Sequence, residues 1–231
     1  MSKFNFIEVN KDLLPKTKGR RIDGHRFYEI EGKNYPSITT VLNIRKKEGL
    51  TKWRENVGEG AANWEMARAA RRGKSTHTLI EQYLKSETPS ERSVLPLGLF
   101  KLLKPYVDHI NNIHLLEAIM YSHKLTVAGQ VDCVAEYNCK LSVIDFKTAN
   151  KERQESWIDN YFLQCTAYAI MYEEIFKKPI EQIVILLAGE DGSVACYKKN
   201  RKDYEESLGK AIKDFYKYYE ELNKDKIPTS K

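Results

Sequence analysis

The spacing of apolar side chains changes several times along the chain, and each change predicts a different kind of element. Residues 1–35 alternate polar and apolar groups around breaks at Gly24 and Gly32, which predicts a short hairpin over HRFYEIEGKNYPSIT. From Ser37 to Leu84 the spacing turns helical. Thr51-Lys52-Trp53 opens one amphipathic run, and Arg72-Gly73-Lys74-Ser75 precedes a second that ends at Leu84. The segment SETPSERSVLPLG is rich in Ser and Pro and reads as a loop, followed by a helix from about Leu97 to Asn112. Next, LLEAIMYSHKLTVAGQVDCVAEYNCKLSVIDFKT alternates with a period of two in three short runs, which predicts an antiparallel meander. A helix over about Ser156 to Phe176, the strands EQIVILLAG and SVACYKK, and a terminal helix from Lys202 to about Leu222 complete the order. The expected fold is an α/β sandwich: one central mixed sheet flanked by helices.

A chain of 231 residues fits one domain, 1–231, read as an N-terminal hairpin extension (1–36), a helical region (37–112) and an α/β core (113–231) carrying the candidate chemistry. No repeat, low-complexity tract, apolar leader or membrane-length apolar run is visible, so a soluble intracellular protein with no membrane partner is expected. The formal charge of +6 favours a polyanionic partner, because neutralised phosphates release counterions. Cys133, Cys139, Cys165 and Cys196 form no CxxC pair and read as buried reduced thiols.

The chemistry concentrates in the second hairpin of the meander. If Asn138-Cys139 is its two-residue loop, Tyr137 faces Lys140 and the same register sets Asp132 opposite Asp145. Facing carboxylates about 5 Å apart repel unless a cation neutralises them. Lys147, two residues beyond Asp145, points to the same face. An isolated DxK is common text and fits a solvated strand equally well. The apolar run VIDF, however, marks a central strand, where charges require an explanation. Farther along, Gln164 and Tyr168 lie four apart on one helix face, as do His77 and Glu81. Between Arg45 and Lys74, nine basic residues are interleaved with Trp53 and Trp64. That pattern fits either single-stranded nucleic acid or a helix pair with a salt-bridged outer face.

GQVD, IDFKT and QCTAY resemble the GxxD, (D/E)xK and QxxxY motifs of RecB-like PD-(D/E)XK nucleases, and in particular the mitochondrial genome maintenance exonucleases and their phage-encoded relatives. The likeness spans roughly Tyr35 to Ile170 and includes an RGxxxH segment at Arg72 to His77, with Lys74 where relatives commonly carry Thr. It implies a restriction-endonuclease-like core with an N-terminal helical arch, and an exonuclease acting on single-stranded DNA with free ends. It further implies catalytic Asp132, Asp145 and Lys147, and metal ligation by His77, Asp132, Asp145 and the Phe146 carbonyl. DNA contacts are implied at Gln164, Tyr168, Arg72, Lys74 and Trp64. Mg2+ is the expected cofactor, with Mn2+ able to substitute. Glu117 matches an acidic position at the start of the sheet and is expected to support the site without ligating, while Glu81 either joins through water or packs. A monomer in the cytoplasm is expected, and the likeness to phage-encoded relatives implies a phage protein in its host. The alternatives are a non-catalytic DNA-binding module, an iron–sulfur nuclease, a structure-specific or site-specific endonuclease, and RNA as substrate.

Overall fold

In a computed structural model, residues 3–224 are described, so residues 1, 2 and 225–231 of the expected domain lie outside the described range. Three short antiparallel strands open the chain: β1 (Arg20–Ile22), β2 (His25–Ile30) and β3 (Lys33–Pro36). The expected hairpin is β2–β3, turned by Glu31 and Gly32 at positive φ, and β1 extends it to a small sheet. Helices α1 (Ile38–Asn43), α2 (Lys47–Val57), α3 (Glu59–Leu84) and α4 (Val94–Val107) follow.

Two helical expectations are corrected. Arg72-Gly73-Lys74-Ser75 does not precede a helix but lies inside the 26-residue α3. Gly73 is where that helix crosses the main sheet: a Cβ there would lie 3.7 Å from Thr148 Oγ1. The second correction concerns α4, which starts at Val94 and ends at Val107, so part of the expected loop is helix and residues 110–112 are strand. Ser93 takes the N-cap position, and Pro96 lies in the first turn, where a missing N–H costs no helical hydrogen bond.

The main sheet contains β4 (Ile110–Ser122), β5 (Val127–Tyr137), β6 (Lys140–Ala149), β7 (Gln182–Gly189) and β8 (Val194–Asn200), in that spatial order. β4, β5 and β6 form the predicted antiparallel meander. β7 pairs parallel to β6 after a crossover through α5 (Asp159–Phe176), and β8 returns antiparallel. The final helix, α6, spans Glu205–Lys224. Apolar side chains leave both faces of the sheet. One cluster joins Val134, Val143, Ile183 and Ile185 to Ile38, Phe162, Tyr172 and Phe215, under α1, α5 and α6. The other joins Cys133, Ile144, Val184 and Leu186 to Leu79, Leu84, Leu99 and Leu103, under α3 and α4. β6 is therefore central and sealed on both sides.

Cys133 and Cys165 are buried on opposite faces of the sheet, whereas Cys139, contrary to expectation, is exposed in the hairpin turn. Among the described residues, no helix is long and apolar enough to cross a membrane.

Candidate active site

The β5–β6 turn takes the predicted form. Asn138 and Cys139 have φ of 51° and 62°, and Tyr137 pairs with Lys140. Backbone rungs continue to Cys133↔Ile144. One position farther, the Asp132 carboxylate takes over: Oδ2 accepts the Phe146 N–H at 2.9 Å. The strands splay there, and a side chain satisfies the donor that pairing leaves free.

Asp145 is 1% exposed. Its Oδ1 accepts from the Gln164 amide at 3.3 Å, and its Oδ2 forms an ion pair with Lys147. Burial pushes the Asp145 carboxyl up to about 6, against the opposing pull of the Lys147 ammonium. Burial disfavours the ammonium too, but Asp145 and Asp132 outweigh that and hold the Lys147 pKa above its ordinary value. The ammonium also lies over the Tyr161 ring, 5.1 Å from its centre.

His77 reaches the same junction from α3. Its Nε2 donates to the Phe146 carbonyl at 2.7 Å, while Nδ1 lies 3.6 Å from Asp132 Oδ1 and 3.8 Å from Glu117 Oε1. Burial alone would lower its pKa, yet the Asp132 charge and the contact with Glu117 raise it to about 9. The imidazolium therefore places a positive charge among a carbonyl and two carboxylates.

His77, Glu117 and Asp132 each offer one ligand atom, all within 4.8 Å of one another, so this trio could hold a cation. Glu117 is thus closer to the centre than its expected supporting role. Leu116↔Cys133 and Ala118↔Val131 flank it in the β4–β5 ladder, which sets it level with Asp132. At Glu117 itself φ is +48°, an uncommon left-handed conformation for a non-glycine residue, and the Gln130 amide donates to Oε2 at 2.8 Å. The meander register could have found Glu117, since the β4–β5 turn fixes which residue faces Asp132, but nothing local signals the backbone reversal.

Gln164 and Tyr168 share a buried face of α5, with the amide donating to the phenol oxygen at 3.4 Å. Tyr168 fills the space left by Gly129, the glycine of GQVD. A Cβ on that residue would come within 2.8 Å of the Tyr168 ring and 3.2 Å of Ile38. Arg72 does not face solvent as a DNA contact would. Its buried guanidinium donates to Thr148 Oγ1 at 3.2 Å and Asn150 Oδ1 at 2.6 Å, and pairs with Glu190. Arg68 pairs with the same carboxylate. Together with His77 on Phe146, this network fastens α3 to β6 on either side of Lys147. Sequence reasoning missed Glu190 because it lies 118 residues from Arg72.

Lys74 is exposed beside a pocket of about 330 Å³ that Glu81, Glu117 and His77 also line, and Glu81 is paired with Lys85. Trp64 is 59% exposed, with Arg68 over its ring at 5.8 Å. Between α2, the first half of α3 and the end of β6 lies a cleft of about 670 Å³ lined by Trp53, Met66, Arg72, Asn150 and Arg153.

The chain is 30% identical over 175 residues to mitochondrial genome maintenance exonuclease 1 of Homo sapiens, covering 69% of this chain and 51% of that protein. The same-named protein of Mus musculus is 27% identical over 181 residues, covering 72% and 53%, and that of Xenopus tropicalis 29% over 179 residues, covering 69% and 50%. The chain thus spans about half the length of the curated relatives it matches. The family model of the PD-(D/E)XK nuclease superfamily matches residues 49–230, a range that contains α3, the meander and α5 with every side chain of this junction. With an acidic pair and a lysine on a central β-hairpin, and with that match over most of its length, the chain belongs to the PD-(D/E)XK nuclease superfamily.

Proposed function

We propose that this chain is a divalent-cation-dependent deoxyribonuclease that degrades single-stranded DNA from free ends. One observation carries the nuclease reading: the cation-competent trio His77, Glu117 and Asp132 adjoins the buried Asp145–Lys147 pair. The exonuclease part rests on the likeness to the mitochondrial genome maintenance exonucleases. The single-strand part is supported by exposed Trp64 and by Trp53 and Arg153 in the cleft beside the end of β6, since rings stack on unpaired bases and a guanidinium tracks phosphate.

The donor set fits a divalent ion. His77, Glu117 and Asp132 would hold it, with the Phe146 carbonyl and Asp145 adjoining. Carboxylate and carbonyl oxygens suit Mg2+, while the imidazole makes Mn2+ an able substitute. Such an ion supplies Lewis acidity, lowering the pKa of water and polarising a phosphoryl oxygen. The protein's own groups do the rest. Gln164 and Lys147 orient the Asp145 carboxylate. Lys147 keeps its proton and sets a fixed positive charge beside the phosphate as charge grows on it. Water oxygen forms a bond to phosphorus and releases a proton to solvent, the phosphorus–sugar oxygen bond breaks, and the departing oxygen takes a proton from solvent, so one water is consumed for each bond cut. We read the chain as one nuclease domain, because both hydrophobic clusters share a single sheet, and as acting on DNA as a monomer.

The test is incubation of the protein with end-labelled linear and circular single-stranded DNA, and with linear duplex, in Mg2+, Mn2+ or chelator, followed by gel analysis. Loss of linear single strands alone, only with metal, is expected. Cutting of circles would overturn the free-end requirement, and intact strands with either metal would overturn the enzymatic reading.

A further inference from the structure

Four of the nine basic residues between Arg45 and Lys74 are neutralised within the protein: Arg45 pairs with Asp159, Arg54 with Glu59, and both Arg68 and Arg72 with Glu190. Lys47, from the same stretch, has no such partner among the described residues and joins cations of the N-terminal strands. A second cleft, of about 370 Å³, opens between the N-terminal hairpin, α1, the start of α2 and α6, and Arg21, Arg26, Lys47, Thr39, Asn43 and Tyr218 line it. No carboxylate lines this cleft among the described residues, and none of its three permanent cations forms an ion pair there. Arg21 donates only to the Gly24 carbonyl, at 3.3 Å, and the Lys47 ammonium is held by Tyr218, 2.9 Å from its hydroxyl and 4.9 Å from its ring centre.

The walls are fixed to each other. Ser37 N–H donates to the Arg26 carbonyl at 2.8 Å, and Arg26 N–H donates to Thr40 Oγ1 at 3.1 Å, so hairpin and α1 form one unit. Leu50 of α2 lines both this cleft and the aromatic one that reaches Thr148–Asn150, just past Lys147. The two clefts are therefore neighbours across α2, one lined by the Trp53 ring and apolar side chains and the other by unpaired cations.

We infer that the cleft between the N-terminal hairpin and α1–α2 is a remote phosphate subsite, where Arg21, Arg26 and Lys47 hold the polynucleotide backbone of a substrate whose reacting end lies in the nuclease site. This rests on the nuclease reading and adds the surface that grips the strand away from the cut. Cations lacking a protein counter-charge exchange solution anions for phosphates, whereas internally paired arginines must first break an ion pair. Thr39, Asn43 and Tyr218 add neutral hydrogen-bonding groups suited to phosphate oxygens, and nothing in the lining reads bases.

The experiment measures binding of a fluorescent single-stranded oligonucleotide, in chelator, as a function of salt for the intact chain, Arg21→Ala/Arg26→Ala, Lys47→Ala and Lys33→Ala. Lys33 lies on β3 of the same hairpin, outside the cleft. For the double variant, the slope of log K against log salt should flatten by about 1.4, from roughly 0.7 per lost contact on single strands, and for Lys47→Ala by half that. Lys33→Ala should leave it unchanged. KM for long strands should rise in the cleft variants while kcat stays the same, and short oligonucleotides should be cleaved as before. If the intact chain binds and the cleft variants keep its slope, or Lys33→Ala flattens it equally, the subsite is refuted. If the intact chain binds no strand at all, the subsite is likewise refuted, while the nuclease reading fails separately, on strands left intact with either metal. Thermal melts of each variant separate these outcomes from misfolding.

Discussion

Gly129→Ala tests whether two sequence motifs meet in space. Gly129 opens GQVD and Tyr168 closes QCTAY, and they are 39 residues apart in the sequence. An added Cβ would stand 2.8 Å from Tyr168 Cε1, 2.9 Å from its hydroxyl oxygen and 3.2 Å from Ile38 Cγ2. The first contact is about 0.7 Å or more inside the usual carbon–carbon approach of about 3.5–4.0 Å. Tyr168 has no free space to retreat into, being 2% exposed and packed in the cluster that contains Val131 and Phe162. Overpacking of this kind costs about 1–3 kcal/mol. For a chain of this size that is a melting temperature lower by roughly 2–12 °C. Gly129 is not at positive φ, so backbone strain adds nothing and the effect is one of contact alone. Urea titration followed by circular dichroism measures it, with an unchanged slope showing that the unfolded state is unaffected. Because Tyr168 moves with Gln164, and Gln164 donates to Asp145, cleavage should slow as well. In the Tyr168→Leu background the same glycine substitution should cost less, by a coupling of about 0.5–3 kcal/mol. Wild-type melting and full activity in Gly129→Ala would refute the contact.

Lys147→Met should reduce kcat by roughly 100- to 1000-fold with the fold intact, since it removes the charge held beside the phosphate; cleavage within a fewfold of wild type would remove Lys147 from the reaction. In the metal-free protein His77 titrates near 9, raised from 6.5, so its protonation stabilises the fold fully below about 6.5, and that contribution is lost as pH rises through 9. A cation competes with that proton, so Mn2+ affinity should rise with pH toward 9 with release of about one proton, seen by calorimetry in buffers of different ionisation enthalpy; a pH-independent affinity would contradict this. Glu117→Gln should weaken Mn2+ binding roughly 10- to 100-fold while the melting temperature stays near wild type, and undiminished affinity would exclude it from the cation site. Glu190→Ala strands the buried Arg72 guanidinium and should cost about 3–5 kcal/mol in urea unfolding, whereas a loss under 1 kcal/mol would show the network to be dispensable.

What the sequence reveals here depends on how local each determinant is. The turn at Asn138-Cys139 fixes the β5–β6 register from Tyr137↔Lys140 to Cys133↔Ile144, so that register could be read directly, while the splay beyond it that sets Asp132 on the Phe146 N–H could not. The i, i+4 spacing of Gln164 and Tyr168 gave their common face, though not that the face is buried. Gly73 looked like a break because glycine weakens isolated helices, yet tertiary packing across β6 carries α3 through it. Glu117 depends on a backbone reversal that no propensity encodes, and the inward turn of Arg72 depends on a carboxylate from the β7–β8 turn. Nothing in the alternation of residues 20–36 marks Arg21 and Arg26 as neighbours of Lys47, because only the packing of α1 and α6 brings them around one cleft.

The continuity of α3 has a mechanical side. As a single helix about 39 Å long, it carries exposed Trp64 and the ring of His77 on one rod, thirteen residues or roughly 20 Å apart. A helix broken at Gly73 would absorb a push on its outer end as a bend. This one is tied along its length, by Arg68 and Arg72 to Glu190 and by His77 to the Phe146 carbonyl, so the helix itself sets how far the exposed indole stands from the imidazole.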